Sequence, residues 1–193
     1  MTRRVAVFAL VAAALVAVGV ALVSDVPRAD LIVVQEVPSD VQAEVDILWR
    51  RFVGTFGARR SCFGDVSLML VRDVEGGDAR YVGAESLIEI EIPTTPARFR
   101  ESLAHELGHH VERTCIEFSE LRAAMLTELD MADSSWSGGD VWEQIPAEIW
   151  AEGVVGLVNG ERILHGDDMP IDPSITALIE AWARGDDLAD VSG

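Results

Sequence analysis

The chain has 193 residues, 49% of them hydrophobic and 25% charged, which fits one compact domain plus an accessory segment. Its formal net charge is −18 at pH 7. A field of that sign repels phosphate backbones, so we do not expect nucleic acid as a partner and attribute the charge mainly to solubility. We expect a monomer.

The first 24 residues predict a segment that directs export. An apolar run over residues 5–23 follows Arg3 and Arg4. A run of about 18 or more apolar residues can cross the hydrocarbon core as a helix, and basic residues hold the near end in the cytoplasm. A cleaved signal peptide has the same charged start. Residues 1–24 are therefore predicted to be a signal peptide or an N-terminal signal anchor, and the rest of the chain is expected to be extracytoplasmic, either secreted or anchored to the cell membrane.

The next segments predict a linker, a helix and a small sheet. Residues 25–38 are assigned to a juxtamembrane linker, and Ser39 is predicted to be the N-cap of a helix near 40–56. Strands are predicted over 65–72 and 86–92, with a glycine-rich turn between them. In the second strand, apolar side chains alternate with glutamates, which indicates one buried face.

The remainder of the chain is mostly helical in pattern. Thr95-Pro96 opens a helix that runs to about Arg113, because proline is tolerated in the first helical turn. Further helical patterns span 116–129, 146–158 and 173–184, and the Ser-, Gly- and Asp-rich stretch 132–145 is predicted to be a loop. This order of elements predicts an α+β domain over residues 39–193.

The helix that begins at Thr95 contains the sequence His105-Glu106-Leu107-Gly108-His109. Residues i and i+4 lie on one helix face about 5–6 Å apart, so both imidazoles can bind one Zn²⁺ at about 2.0–2.1 Å. Glu106 is placed to take a proton from water without being a ligand. Gly108 lets a neighbouring backbone approach closely. His110 points about 100° away from His109 and is expected to be packed or solvated.

A catalytic zinc site takes three protein ligands and keeps one position for water, so a third ligand is needed. Glu148 and Glu152 are again i and i+4, on the predicted 146–158 helix. One carboxylate can bind the metal, and the other can orient a ligand histidine through its second ring nitrogen.

These motifs resemble those of the gluzincin metallopeptidases, typified by thermolysin. The short spacing and the string Pro146-x-Glu148-x-x-Ala151-Glu152 are most similar to the anthrax-lethal-factor-like and Pro-Pro-endopeptidase-like catalytic domains, over roughly residues 86–158. The resemblance implies a minimal zincin fold, in which a small mixed sheet lies over the metal-binding helix with a helical lower part. It also implies Zn²⁺ bound by His105, His109 and Glu148, with Glu152 supporting a histidine. The strand near 86–92 would be the edge that pairs with an extended peptide or protein substrate.

The sequence departs from that pattern at one position. Lethal-factor-like enzymes carry a tyrosine about two turns before the ligand glutamate, where this chain has Val141 and Trp142. His165 and Tyr81 are the candidates for stabilising the oxyanion. The expected function is a zinc-dependent endopeptidase with Glu106 as general base, and the alternative is a non-proteolytic exported zinc-binding module with a degenerate zincin fold.

Cys62 and Cys115 are the two cysteines of the chain. Neither has the short spacing of a metal site. In an exported domain an isolated pair is more naturally a disulfide than two free thiols, so we predict a bridge between them.

Overall fold

A computed structural model describes residues 29–132, 135–164 and 169–191. These residues form an α+β structure with five α-helices and a four-stranded mixed sheet, as the sequence predicts. The apolar run over residues 5–23, predicted to be a hydrophobic helix, lies outside the described residues. Within them, none of the helices has both the length and the apolar character needed to span a membrane.

The sheet contains three parallel strands and one antiparallel strand. The strands are β1 (Leu31–Val33), β2 (Val66–Val71), β3 (Ala79–Val82) and β4 (Leu87–Glu91), in the spatial order β1-β2-β4-β3. β1 and β4 are parallel to β2, and β3 is antiparallel to β4. In β2 and β4 alternate side chains are buried, which confirms the period-two pattern that predicted both strands.

The prediction that the strand near residues 86–92 is the sheet edge is wrong. β4 lies between β2 and β3, so β3 is the edge on that side of the described sheet. Alternation shows that one face of a strand is buried, but it carries no information about which strands flank it. β3 itself is only four residues long and mixes Arg80 and Tyr81 with small residues, so the sequence pattern did not reveal it.

The predicted linker over residues 25–38 is wrong in part, because its middle belongs to the domain. β1 lies within this range and pairs with β2, and the N–H of Val34 donates to the carbonyl of Leu68. Ala29 is only 1% exposed. A strand of three residues is too short for its periodicity to be recognised in a sequence.

The five helices lie close to their predicted positions. They are α1 (Ser39–Thr55), α2 (Pro96–Thr114), α3 (Phe118–Glu128), α4 (Pro146–Asn159) and α5 (Pro173–Arg184). Thr95 caps α2, since its hydroxyl accepts a hydrogen bond from the N–H of Arg98. Ser39 is not the N-cap of α1: Pro38 occupies that position without a side-chain cap, and Ser39 is the first helical residue.

The core between the helices is built on aromatic rings. Phe56, Phe118, Trp150 and Trp182 are at most 1% exposed, and the ring centroids of Phe118 and Trp150 are 4.8 Å apart. Burying a side chain of this size stabilises the fold by about 1.5–3 kcal/mol. Because Trp150 belongs to α4, this cluster fixes the helix that carries the predicted third ligand.

A disulfide joins Cys62 to Cys115, with 4.7 Å between their Cα atoms. This confirms the predicted bridge. Cys115 is the C-cap of α2, so the bond ties the end of this helix to the segment between α1 and β2.

Candidate metal centre and cleft

Two packed helices bring the candidate ligands together. α2 carries His105 and His109, and α4 carries Glu148. The helices approach closely at Gly108, where a Cβ atom would lie 3.2 Å from the Cα of Ala151. The glycine in the motif therefore permits the close backbone approach that the sequence indicated.

Three side-chain atoms converge at this contact. The Nε2 atoms of His105 and His109 are 3.2 Å apart, and the Oε2 atom of Glu148 lies 3.1 Å from the first and 3.6 Å from the second. Two ligand atoms bound to zinc at about 2.0–2.1 Å in tetrahedral geometry are about 3.3–3.4 Å apart. The observed separations bracket that value, so two imidazoles and one carboxylate fit a zinc ion without rearrangement.

Each histidine has a carboxylate at its other ring nitrogen. Nδ1 of His105 is 3.0 Å from Oε1 of Glu152, and Nδ1 of His109 is 3.3 Å from Oε2 of Glu112. Both carboxylates have further donors: Arg162 Nε donates to Glu152 and Trp136 Nε1 donates to Glu112. We assign the Nδ1–H tautomer to both rings, which leaves Nε2 free to accept a metal.

The electrostatics of the three donors follow from their mutual contacts. Burial opposes charge on His105, but hydrogen bonds to Glu148 and Glu152 dominate and raise its pKa to about 9. For His109, burial likewise lowers the pKa, but hydrogen bonds to Glu112 and Glu148 outweigh that effect and raise the pKa to about 10. Burial alone would raise the pKa of Glu148, yet the two imidazoles hold it well below its usual range. Without metal, the donors therefore form a charge-paired cluster that holds protons near neutral pH, and the Nδ1–H tautomer is that of each ring once it is neutral.

Glu106 lies beside this cluster but outside the set of converging donors. It is 7% exposed, and its pKa is raised mainly by burial, against the opposing charges of His105 and His109 and the backbone N–H of Tyr81. A carboxylate whose pKa is raised toward neutrality is better matched to accepting and returning a proton.

The structure places the Tyr81 hydroxyl against His110, 3.0 Å from its Nδ1. The His110 ring is fully buried and burial lowers its pKa, so it is neutral, while burial raises the pKa of Tyr81 and keeps its proton in place. We assign Tyr81 as the donor in this bond. The hydroxyl of this oxyanion candidate is thus bonded to a buried ring, and His110 is packed, as expected for a residue turned away from His109.

A cleft of about 990 Å³ opens over the donors, between β3 and the 142–164 region. Trp142 lines it and stacks on His105, with ring centroids 6.1 Å apart and an interplanar angle of 19°. Leu164 also lines the cleft, and the carboxylate of Glu101 accepts the N–H groups of Ile163 and Leu164 at 2.6 and 2.9 Å. His165, the other oxyanion candidate, lies outside the described residues.

The sequence reasoning missed Glu112, Arg162 and Trp142. Glu112 follows His109 by three residues, and an i, i+3 pair on a helix faces the same side, so its spacing was a usable signal. Arg162 and Trp142 lie in connecting segments with no periodicity to place them.

Comparisons of the chain with protein-family models, with curated proteins and with solved structures found no match.

Proposed function

We propose that this protein is a zinc-dependent endopeptidase with a minimal zincin fold of the gluzincin type. One observation carries the proposal: His105, His109 and Glu148 present three donor atoms 3.1–3.6 Å apart at the floor of a cleft. The set of two imidazoles and one carboxylate is that of catalytic rather than structural zinc sites, which are closed by four protein ligands.

Zinc bound to such donors acts as a Lewis acid that polarises carbonyl groups and makes water acidic enough to ionise near neutral pH. The residues of the chain supply the rest. Glu106 accepts the proton of the attacking water and returns it to the leaving amine. Glu152 keeps the His105 imidazole in the ligand tautomer, and Trp142 limits rotation of that ring from one side.

β3 offers an edge on which an extended peptide can lie. The N–H of Glu91 donates to the carbonyl of Asp78, so the ladder between β3 and β4 has its hydrogen-bonded pairs at Asp78, Arg80 and Val82. By the alternation of antiparallel ladders, the backbone groups of Ala79 and Tyr81 face away from β4. Both residues line the cleft. The N–H of Tyr81 is directed at the Glu106 carboxylate, so the N–H and carbonyl of Ala79 and the carbonyl of Tyr81 are the groups we expect to pair with substrate backbone.

We also propose that the domain works outside the cytoplasm, secreted or anchored by residues 1–24. The Cys62–Cys115 disulfide supports this, because such bonds persist in oxidising compartments. The substrate is then a protein or peptide of that compartment.

The experiment is a peptide-library digest with zinc-loaded full-length protein. We expect cleavage that a chelator abolishes and that stoichiometric zinc restores. Cleavage that survives removal of the metal, or a zinc-loaded protein that cleaves none of the library, contradicts the proposal.

The alternative is a non-proteolytic zinc-binding module, and the engagement of Tyr81 with His110 favours it, since that hydroxyl is not available to an oxyanion. This alternative predicts tight binding of one zinc ion without hydrolysis. The same digest therefore separates the two functions.

A further inference from the structure

Glu112 is a buried carboxylate whose two oxygens are both engaged. Its side chain is 2% exposed. Oε2 lies 3.3 Å from Nδ1 of His109, and Oε1 accepts a hydrogen bond of 2.8 Å from Nε1 of Trp136. Arg113 Nε and Arg122 Nη2 are each 3.8 Å from Oε1. The carboxylate therefore joins a candidate metal ligand to Trp136 and Arg122, neither of which is among the residues that line the cleft.

We propose that Glu112 is the positioning residue of His109, holding the ring in the tautomer and orientation that bind metal; this inference rests on the proposed zinc site. A neutral imidazole carries one proton, on either nitrogen. An acceptor at Nδ1 draws the proton there and leaves the lone pair of Nε2 directed at the other two donors, 3.2 Å from His105 Nε2 and 3.6 Å from Glu148 Oε2.

The surroundings of Glu112 show that the fold holds this carboxylate in place. Burying a carboxylate is costly unless it is hydrogen-bonded and charge-paired. Here the partners come from different parts of the chain: Trp136 from the segment before α4, and Arg122 from α3, with its guanidinium 5.1 Å from the Trp136 ring. His105 has a corresponding arrangement, in which Glu152 is held by Arg162.

Substitution by glutamine separates this role from simple packing. Glu112 accepts from two N–H donors, His109 Nδ1 and Trp136 Nε1, whereas a glutamine has one acceptor oxygen and one NH₂ group. In either orientation of the amide, the NH₂ group of the E112Q variant faces one of those donors. Trp136→Phe removes the indole N–H, so the amide oxygen can then turn to His109. Adding W136F to E112Q is thus expected to improve zinc binding relative to E112Q alone.

The experiment measures zinc affinity of the full-length protein by competition with a chelator of known affinity. The variants are E112Q, W136F, the E112Q/W136F pair and the control Glu120→Gln, which removes the same charge from an exposed position on α3. With affinities corrected for the protons that zinc displaces, we expect E112Q to bind zinc about 10–100-fold more weakly. E120Q should stay within about twofold because exposed charges are screened, and the pair should recover most of the loss.

The outcomes are distinguishable. Wild-type protein that binds no zinc refutes the proposed function, whatever Glu112 does. If the wild type binds zinc and E112Q binds it as tightly as E120Q does, the role of Glu112 is overturned and the zinc site stands. A double variant that shows no recovery has the same consequence. Should E112Q not fold, nuclear magnetic resonance of the zinc-loaded wild type decides: a slowly exchanging Nδ1 proton on His109 is expected, and its absence contradicts the inference.

Discussion

Glu106 and its neighbour His105 show how residues adjacent in the chain take different roles. His105 points its Nε2 atom at Glu148, 3.1 Å away, whereas Glu106 is not among the converging donors. Two successive residues of a helix are separated by about 100°, which is enough to place one among the candidate donors and the other beside them.

The Glu106→Gln variant is predicted to keep its zinc and lose its peptidase activity. Glutamine preserves the shape of the side chain but cannot take a proton, and general acid–base catalysis is typically worth about 10²–10⁴-fold. Metal content by atomic spectroscopy and turnover on a cleaved peptide check both halves. An active variant would rule out Glu106 as the base, and a zinc-free variant would make it a ligand.

Zinc binding is predicted to release protons at pH 7.5. The carboxylates raise the pKa values of His105 and His109 to about 9 and about 10, so the metal-free cluster holds protons that zinc must displace. Zinc affinity should therefore rise with pH below about pH 9. Calorimetry in buffers of different ionisation enthalpy counts the protons. Release of almost none, as for histidines with an ordinary pKa of about 6.5, would contradict the charge-paired cluster.

The same raised pKa values determine how the stability of the metal-free protein changes with pH. Pairing of the protonated rings with carboxylates stabilises the fold fully below about pH 6.5, the unfolded value. That contribution is lost as the pH rises through about 9 and about 10.

The sequence predicted the convergent donors but not everything that supports them. Spacing of i and i+4 placed His105 with His109 and Glu148 with Glu152, because helical geometry is local. Glu112 has a similarly simple spacing, yet only its burial against Trp136 separates it from an ordinary surface carboxylate. That burial depends on contacts between elements distant in sequence.

At the scale of secondary structure, long periodic elements were predictable and short ones were not. The helices were found within a few residues, because each repeats its apolar positions over several turns. β1 and β3 have three and four residues, too few for a period to emerge. Missing β3 led to the wrong edge strand.

Gly108→Ala is predicted to weaken zinc binding. Its Cβ would lie 3.2 Å from the Cα of Ala151 and 3.3 Å from a methyl group of Val154. Backbone cannot rotate away, so α2 and α4 must separate by a few tenths of an ångström. Overpacking costs about 1–3 kcal/mol, partly offset by about 1 kcal/mol of helix propensity. The net loss of stability is therefore about 0–2 kcal/mol, and zinc affinity is the measurement that discriminates.

Gly153→Ala is the matched control, on the side of α4 that faces α5. There the added Cβ meets the terminal methyl group of Ile179, which can change rotamer. Zinc affinity should stay at the wild-type level in this variant. Equal losses in the two variants would show that the contact at Gly108 has no special part in aligning Glu148 with the histidines.

At the scale of the whole molecule, the disulfide joins α2, which carries the two candidate histidine ligands, to the segment between α1 and β2. The two cysteines are separated by 53 positions in the chain. In the chain-entropy model, closing a loop of that length restricts the unfolded state by about 4 kcal/mol. Ordinary domains are stable by only about 5–15 kcal/mol, so the bridge is a large part of the total.

Replacing both cysteines by alanine is predicted to lower the free energy of unfolding by about 4 kcal/mol. Urea unfolding of metal-free protein measures this, with the wild type in reductant as the comparison, since the two should agree. A loss below about 1 kcal/mol would show that the segment around Cys62 is held by its packing alone. Free thiols in protein taken from its native compartment would also weaken the case for export.

The most direct test of the metal centre is anomalous diffraction at the zinc edge from crystals of the zinc-loaded protein. The account predicts one strong peak in the cleft, about 2.0–2.2 Å from Nε2 of His105, Nε2 of His109 and a carboxylate oxygen of Glu148. Glu106 should lie next to the metal without touching it. A peak elsewhere in the molecule, or a zinc ion in the cleft from which Glu148 is absent as a ligand, would contradict the account.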